Sequence, residues 1–259
     1  MEAEQLLRSG DIAGARAWLA GELRRSPANV QLRQFFWQLV ALEGEWDKAD
    51  QQLRALAAAE PKAMMLGSVY SQAIAAMKTR DAVMSGQLRP QSIVGTEPWV
   101  DGLLDALHAH MMGSPDAGAR SDVALEAAPA TPGSLNGDPF EWIADADLRF
   151  GPVLEVIVGE NYGFIPFAAL KRIKVAEPAD LRDTVWLPVE LETLAGQTSM
   201  AFVPVTYPGT IASKDAALIL ARRTDWVELN GGEVGLGQRL LATDGPESAI
   251  LALRDVRFG

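Results

Sequence analysis

A spacing of 34 residues governs the start of the chain: Gly10, Ala15, Leu19 and Pro27 recur as Gly44, Ala49, Leu53 and Pro61. A fixed period of this length marks a unit of two packed helices, and 34 is the tetratricopeptide period. Gly10 and Gly44 fall at the tight turn between paired helices, where a side chain is crowded. Ala15 and Ala49 let the helices approach, and Trp46 fills the space beside them in the second copy. Leu19, Leu23, Leu53 and Leu56 form the apolar stripe of each second helix. Pro27 and Pro61 end one unit and open the next. The first copy is expected to lack its first helix, and the second to run from about Val30 to Pro61. A third begins near Met64 with a capping helix that carries Tyr70, Ala73, Ile74 and Met77. A pair of plain helical hairpins fits the same residues but forms no concave groove.

In a repeat array the first helices line the inner surface. Their outward positions here are Gln31, Gln34, Gln38 and Ala41, then Met65, Ser68, Gln72 and Ala75. These are uncharged and partly apolar. Such a surface suits an amphipathic helix or an extended peptide better than a charged tail. These eight are the candidate partner-binding residues, with a tolerated solvent face as the alternative.

The helical pattern breaks between Arg80 and Pro98. Trp99, Leu103, Leu104 and Leu107 restore it. Ser114 as N-cap and Pro115 at the first position open a short helix that reaches about Ala127. After the Asn136-Gly137 turn, short β-branched runs cut by Gly and Pro predict strands over Val153–Val158, Tyr162–Phe167, Leu170–Val175 and Thr198–Val205. Further strands are expected over 185–194, 225–229, 238–243 and 248–256, with a loop at Leu181-Arg182-Asp183 and a helix over 215–222. The expected fold class is α+β. A TPR-like helical domain (1–112) and a short helix with connector (113–136) precede an antiparallel β-rich domain (137–259), built as a sheet or small barrel.

Charge narrows the partners. The net charge of -11 repels a phosphate backbone, and the basic clusters, such as Lys171-Arg172 and Arg222-Arg223, are short. No nucleic acid and no membrane partner is expected. The chain has no cysteine, which removes disulfides, thiol catalysis and cysteine-ligated zinc. Met1-Glu2-Ala3-Glu4 does not open a secretory signal, and a cytoplasmic location is expected.

Catalytic signals are sparse. His108 and His110 diverge if they lie on a helix, so they read as surface residues. Asp145 and Asp147, with Glu141, share a face if extended. They could hold Ca²⁺ or Mg²⁺ or form an acidic active site, or they could pair structurally with Arg149 and Arg182. Gly231-Gly232 and Gly235-x-Gly237 lack the following lysine and helix of a phosphate loop and read as a hairpin turn. No Ser-His-Asp arrangement and no nucleophile elbow is present. A binding protein without a cofactor, rather than an enzyme, is expected.

Several motifs carry a resemblance. Gly137-x-Pro139-Phe140-x-Trp142-Ile143-Ala144-Asp145-Ala146-Asp147-x-Arg149-x-Gly151-Pro152 is followed by Leu181-Arg182-Asp183 before Trp186 and by Tyr207-Pro208-Gly209. Arg223-Thr224-x-Trp226, Gly235-Leu236-Gly237-Gln238-Arg239 and Ala242-Thr243-Asp244 complete the series, with Gly44-Glu45-Trp46-Asp47-x-Ala49 upstream. In these the chain resembles the ImpE/TagJ family, accessory proteins of bacterial type VI secretion systems. Leu148 stands where the family often has Ser. The resemblance implies a non-enzymatic role beside the contractile sheath. The expected partners are the N-terminal helix of the small sheath subunit, TssB, and the ATPase ClpV.

Overall fold

The computed structural model describes residues 2–95, 97–229 and 232–259. Five helices make the repeat region: α1 (Glu2–Ser9), α2 (Ile12–Arg25), α3 (Val30–Leu42), α4 (Trp46–Ala59) and α5 (Met64–Met84). Gly10 turns α1 into α2 and Gly44 turns α3 into α4. Both are left-handed, at φ 88° and 72°, a conformation that penalises any Cβ. The side chains of Asp11 and Asn29 accept the Gly14 and Leu32 N–H groups and cap α2 and α3.

The first copy therefore does have its first helix. It is the eight-residue α1, and it buries only Ala3 and Leu7, too little periodicity to be read. Ala15, Leu19, Ala49, Leu53 and Leu56 are buried as expected, and α5 buries Tyr70, Ala73, Ile74 and Met77. The α5 helix continues past the expected break at Arg80 because Arg80 itself is held in the protein interior.

Two further helices, α6 (Pro98–Met111) and α7 (Ala117–Ala127), form a hairpin. Ser114 does not cap α7. Its hydroxyl donates to Asp116 Oδ1 at 2.6 Å, and the helix begins after Asp116.

The remaining elements are β1 (Gly133–Leu135), β2 (Asp138–Phe140), β3 (Ile143–Asp145), β4 (Val153–Val158), β5 (Asn161–Pro166), β6 (Leu170–Val175), β7 (Trp186–Thr193), β8 (Thr198–Pro204), α8 (Ala216–Ile219), β9 (Thr224–Leu229), β10 (Gly232–Gly237), β11 (Leu240–Thr243), β12 (Ser248–Ala249) and β13 (Asp255–Phe258). The fold is α+β. An eight-stranded antiparallel sheet runs β2-β1-β13-β6-β7-β8-β4-β5, accompanied by the β10-β9 ribbon and a β12-β11-β3 sheet. Pro188 sits inside β7 opposite Phe202 of β8, just beyond the last residue paired with β6.

Two expectations change here. The glycine-rich segment is not a turn but the strand β10, with Gly235 lying flat against the Tyr207 ring; Gly231 lies outside the described residues. The strand expected over 248–256 is broken by a 3-10 turn at Ile250–Ala252.

Strand alternation divides the sheet between two cores. In β4, Val153 and Ile157 join the core shared with the helices, whereas Leu154 and Val156 face a second core. That second core is closed by Ile143 of β3 and Leu241 of β11. Glu155, between Val153 and Ile157, is thereby aimed at the helices. At one end of the sheet, Phe164 of β5 exchanges backbone hydrogen bonds with Gln91 and Ile93. At the other, β2 carries Pro139. Among the described residues, no helix is long and apolar enough to cross a membrane.

Candidate partner-binding surface

The inner face of the repeat region is only partly open. On α3, Gln31 is exposed and Gln34 half-buried, but Gln38 and Ala41 are buried. These last two were expected to face outward; the 3-10 turn Leu181–Thr184 covers them. Gln38 Oε1 accepts the Arg182 backbone N–H at 3.1 Å. The Arg182 guanidinium lies over the Tyr70 ring, 5.2 Å from its centre. Trp186 follows, packed among Trp37, Trp46 and Tyr70 at centroid distances of 6.4, 5.9 and 5.6 Å. The chain's own Leu181–Trp186 segment thus packs against α3 and α5 and closes this part of the inner face.

The plug leaves open surface beside it. A cavity of about 500 Å³ is lined by Glu4, Leu7, Gln31, Gln34, Phe35, Gln38 and Leu181. On α5, Met65 is 80% exposed, and Ser68, Gln72 and Ala75 are also exposed, next to the exposed apolar Met64 and Val69. Phe35, Leu7 and Arg182 were not recognised from sequence. The signal that could have found the plug is the tryptophan that opens β7 three residues after Leu181-Arg182-Asp183, a large anchor placed just where the chain leaves the turn.

A second edge of the repeat also meets the β-rich half. A Cβ on Gly44 would come within 2.6 Å of Ile211 Cδ1, and one on Gly10 within 3.6 Å of Ala216. Arg222 donates to the carbonyls of Leu7 and Arg8 and so caps the C-terminal end of α1.

The acidic motif lies in a buried charged core. Asp145, on β3, pairs with Arg239 and accepts the Tyr207 hydroxyl at 2.9 Å. Asp147 is held by Arg149, at 2.6 Å from Nη2 to Oδ2, and accepts the Gly235 N–H at 2.8 Å. Glu155 pairs with Arg239 and, at 2.7 Å, with Arg80, and accepts the Tyr162 hydroxyl at 2.5 Å. The Arg239 guanidinium lies over Phe150 and Tyr207, 4.6 and 4.9 Å from the ring centres. Arg182, expected to pair with these aspartates, instead pairs with Asp180 and Asp183. Glu141 is exposed and apart from the cluster.

The electrostatics follow from balance. Three arginines face three carboxylates. Burial pushes the Asp145 carboxyl up to about 6, against the pull of Arg239. Burial also works against ionised Glu155, but Arg80 and Arg239 outweigh it and hold its pKa below the usual value. Burial and Glu155 raise Tyr162 well above the ordinary phenol range. Among the described residues, no three His, Asp or Glu side chains are placed to hold a metal ion. The carboxylates are engaged by arginines, hydroxyls and backbone N–H groups, an arrangement that joins segments rather than presenting an open ligand set. His108 and His110 lie half-buried near the end of α6, and burial lowers the His110 pKa, helped by Arg149.

Comparison with known proteins places this architecture. The model of the family described as ImpE protein matches residues 137–257. The chain is 39% identical over 259 residues to the type VI secretion system accessory component TagJ of Pseudomonas aeruginosa, covering all of this chain and 91% of that protein. The fold is similar to a crystal structure of a Vibrio parahaemolyticus protein, with a TM-score of 0.89 at 21% identity, covering all of this chain and 98% of the other.

Proposed function

The chain belongs to the ImpE family, and from that premise we propose that it is a non-enzymatic accessory component of a type VI secretion system. In this reading it works in the cytoplasm, binds the N-terminal helix of the small sheath subunit TssB, and acts near the ATPase ClpV in sheath assembly or recycling. What supports a helix as ligand is exposed, uncharged and partly apolar surface on α5 together with an open cavity beside the plug whose rim also carries Glu4 and Asp180. The α5 surface comprises Met65, Ser68, Gln72 and Ala75 with Met64 and Val69; on α1 and α3 the cavity lies at Gln31, Gln34 and Phe35. Gln38 and Ala41, both buried, are not part of this exposed surface. A helix seated in a groove typically buries on the order of 1,000 Å² in total, enough for micromolar binding when a few apolar anchors fit.

The test is fluorescence anisotropy with a labelled peptide of the cognate TssB N-terminal helix. It is titrated with wild type, with Met65→Glu/Gln72→Glu and with Gln31→Glu/Gln34→Glu. The proposal expects saturable binding by wild type and a loss of about tenfold or more in at least one variant. Binding unchanged in both variants moves the site elsewhere; no binding by wild type at high micromolar concentration removes the partner.

A further inference from the structure

Where the repeat helices meet the β-rich half, a cavity of about 420 Å³ opens between them. Leu42, Trp46 and Met77 wall it on the helical side, and Val185, Pro208 and Ile219 on the other. The exposed residues of its lining, Asp81, Ser85 and Ala212 among them, mark the mouth. Small-molecule sites enclose roughly 300–1,000 Å³ and concentrate at such junctions.

Two hydrogen-bonding groups at this cavity are unused. Arg80 lines it while only 5% exposed. Its Nε and Nη2 form the fork that holds Glu155, and Nη2 also donates to the Thr206 carbonyl. The remaining nitrogen, Nη1, has no acceptor among the described residues. It lies on the flank of the rigid guanidinium opposite the fork. Glu155 does not line the cavity and Thr206 does, so the flank turned away from Glu155 is the one toward the open space. Nor is Nη1 sealed from solvent, as the partnerless Nε of Arg239 is. Asp81, the next residue on α5, accepts Trp46 Nε1 on Oδ2 at 2.6 Å. Its Oδ1 accepts no hydrogen bond among the described residues.

We propose that this cavity binds a small amide with an apolar body, its carbonyl oxygen accepting from Arg80 Nη1 and its N–H donating to Asp81 Oδ1. Charge argues for a neutral ligand. Glu155 already neutralises Arg80, and Asp81 sets a negative charge at the entrance that opposes an anion. A cation would be drawn to Asp81 but would meet the guanidinium behind it. A buried donor without a partner is costly, and an amide oxygen removes that cost. The aliphatic and aromatic walls then cover the body of the ligand.

The probes are N-acetyl-L-leucinamide, N-acetylglycinamide, which lacks the apolar body, and 4-methylpentanoate, which carries a similar branched body on an anion. Each is titrated against the full-length protein by saturation-transfer NMR. The leucinamide is expected to saturate at millimolar concentration or below, and the other two to bind at least about tenfold more weakly. Ala212→Trp, at an exposed position of the mouth, is expected to weaken leucinamide binding about tenfold or more, with far-UV CD verifying that the variant folds. A crystal structure with leucinamide is expected to place an amide oxygen within about 3.2 Å of Arg80 Nη1. Binding left unchanged by Ala212→Trp, or a bound probe whose oxygens do not reach Nη1, overturns the proposal. Binding of 4-methylpentanoate as tight as that of leucinamide also overturns it, since the site then takes an anion. So does the absence of leucinamide saturation at tens of millimolar, which leaves the cavity to water.

Discussion

Arg80 on α5 and Glu155 on β4, 75 residues apart in sequence, meet with Nε and Oε1 2.7 Å apart, and both are buried. Arg80 also donates to the Thr206 carbonyl at 2.9 Å. The last repeat helix is therefore tied to two strand-rich segments by one guanidinium. A buried pair adds little net stability, yet losing one partner strands a charge.

Arg80→Ala should accordingly destabilise the fold by about 3–5 kcal/mol. Urea unfolding followed by tryptophan fluorescence checks this. A change of only a few tenths of a kcal/mol would show that Glu155 is adequately held by Arg239 and Tyr162 alone.

Trp186→Ala should cost about 3–5 kcal/mol, because the indole is wholly buried among Trp37, Trp46 and Tyr70. Arg182→Ala should cost only about 1–2 kcal/mol: its backbone N–H keeps Gln38 satisfied, Asp183 is still held by the Ala179 and Asp180 N–H groups, and what is lost is the contact over Tyr70 and the pairs with Asp180 and Asp183. Thermal melts of the two variants rank them; equal costs would mean that the Arg182 ion pairs, not the indole, hold the plug.

Two glycines of β10 should behave oppositely. A Cβ on Gly235 would lie 2.4 Å from the Tyr207 ring, and that ring is fixed by its hydroxyl contacts to Asp145 and Leu240. Gly235→Ala should cost about 1–3 kcal/mol. Gly232 faces open space, so Gly232→Ala should stay within about 0.5 kcal/mol of wild type. Chemical denaturation of both decides it, and a neutral Gly235→Ala would show that the ribbon shifts freely over Tyr207.

Asp145 makes a pH prediction with a defined sign. Its carboxyl is raised from 3.8 to about 6 in the folded protein, so the folded state holds this proton more readily than the unfolded state. The stability it contributes is present below the unfolded value and is lost as pH rises through about 6. Asp145→Asn lacks this titration. Its stability relative to wild type should therefore rise between about pH 4 and about pH 7, read as Tm differences across that window. A difference that stays flat across this window would mean that Arg239 keeps Asp145 ionised throughout.

What could be read in the sequence was local or periodic. The glycine turns at Gly10 and Gly44, the α5 stripe and the strands β4 to β6 announce themselves within a few residues, and the structure has them. The plug does not, because its Gln38–Arg182 contact joins positions 144 residues apart. The same distance problem hides the partner of Asp145. Arg149 is near in sequence and Arg182 closer than Arg239, yet Arg239, 94 residues away, is the one that arrives. The β10 strand was hidden by composition: glycine reads as a turn unless one knows that an aromatic ring lies flat against it.

The two ends of the eight-stranded sheet bear on how the protein behaves when crowded. An exposed edge strand is a template on which another molecule can add its own strand, and growth of that kind ends in aggregates. On β5, Phe164 already has its backbone partners in Gln91 and Ile93, and at the opposite end Pro139 has no N–H to offer. Crowded copies thus find neither end of this sheet ready to accept another molecule's strand.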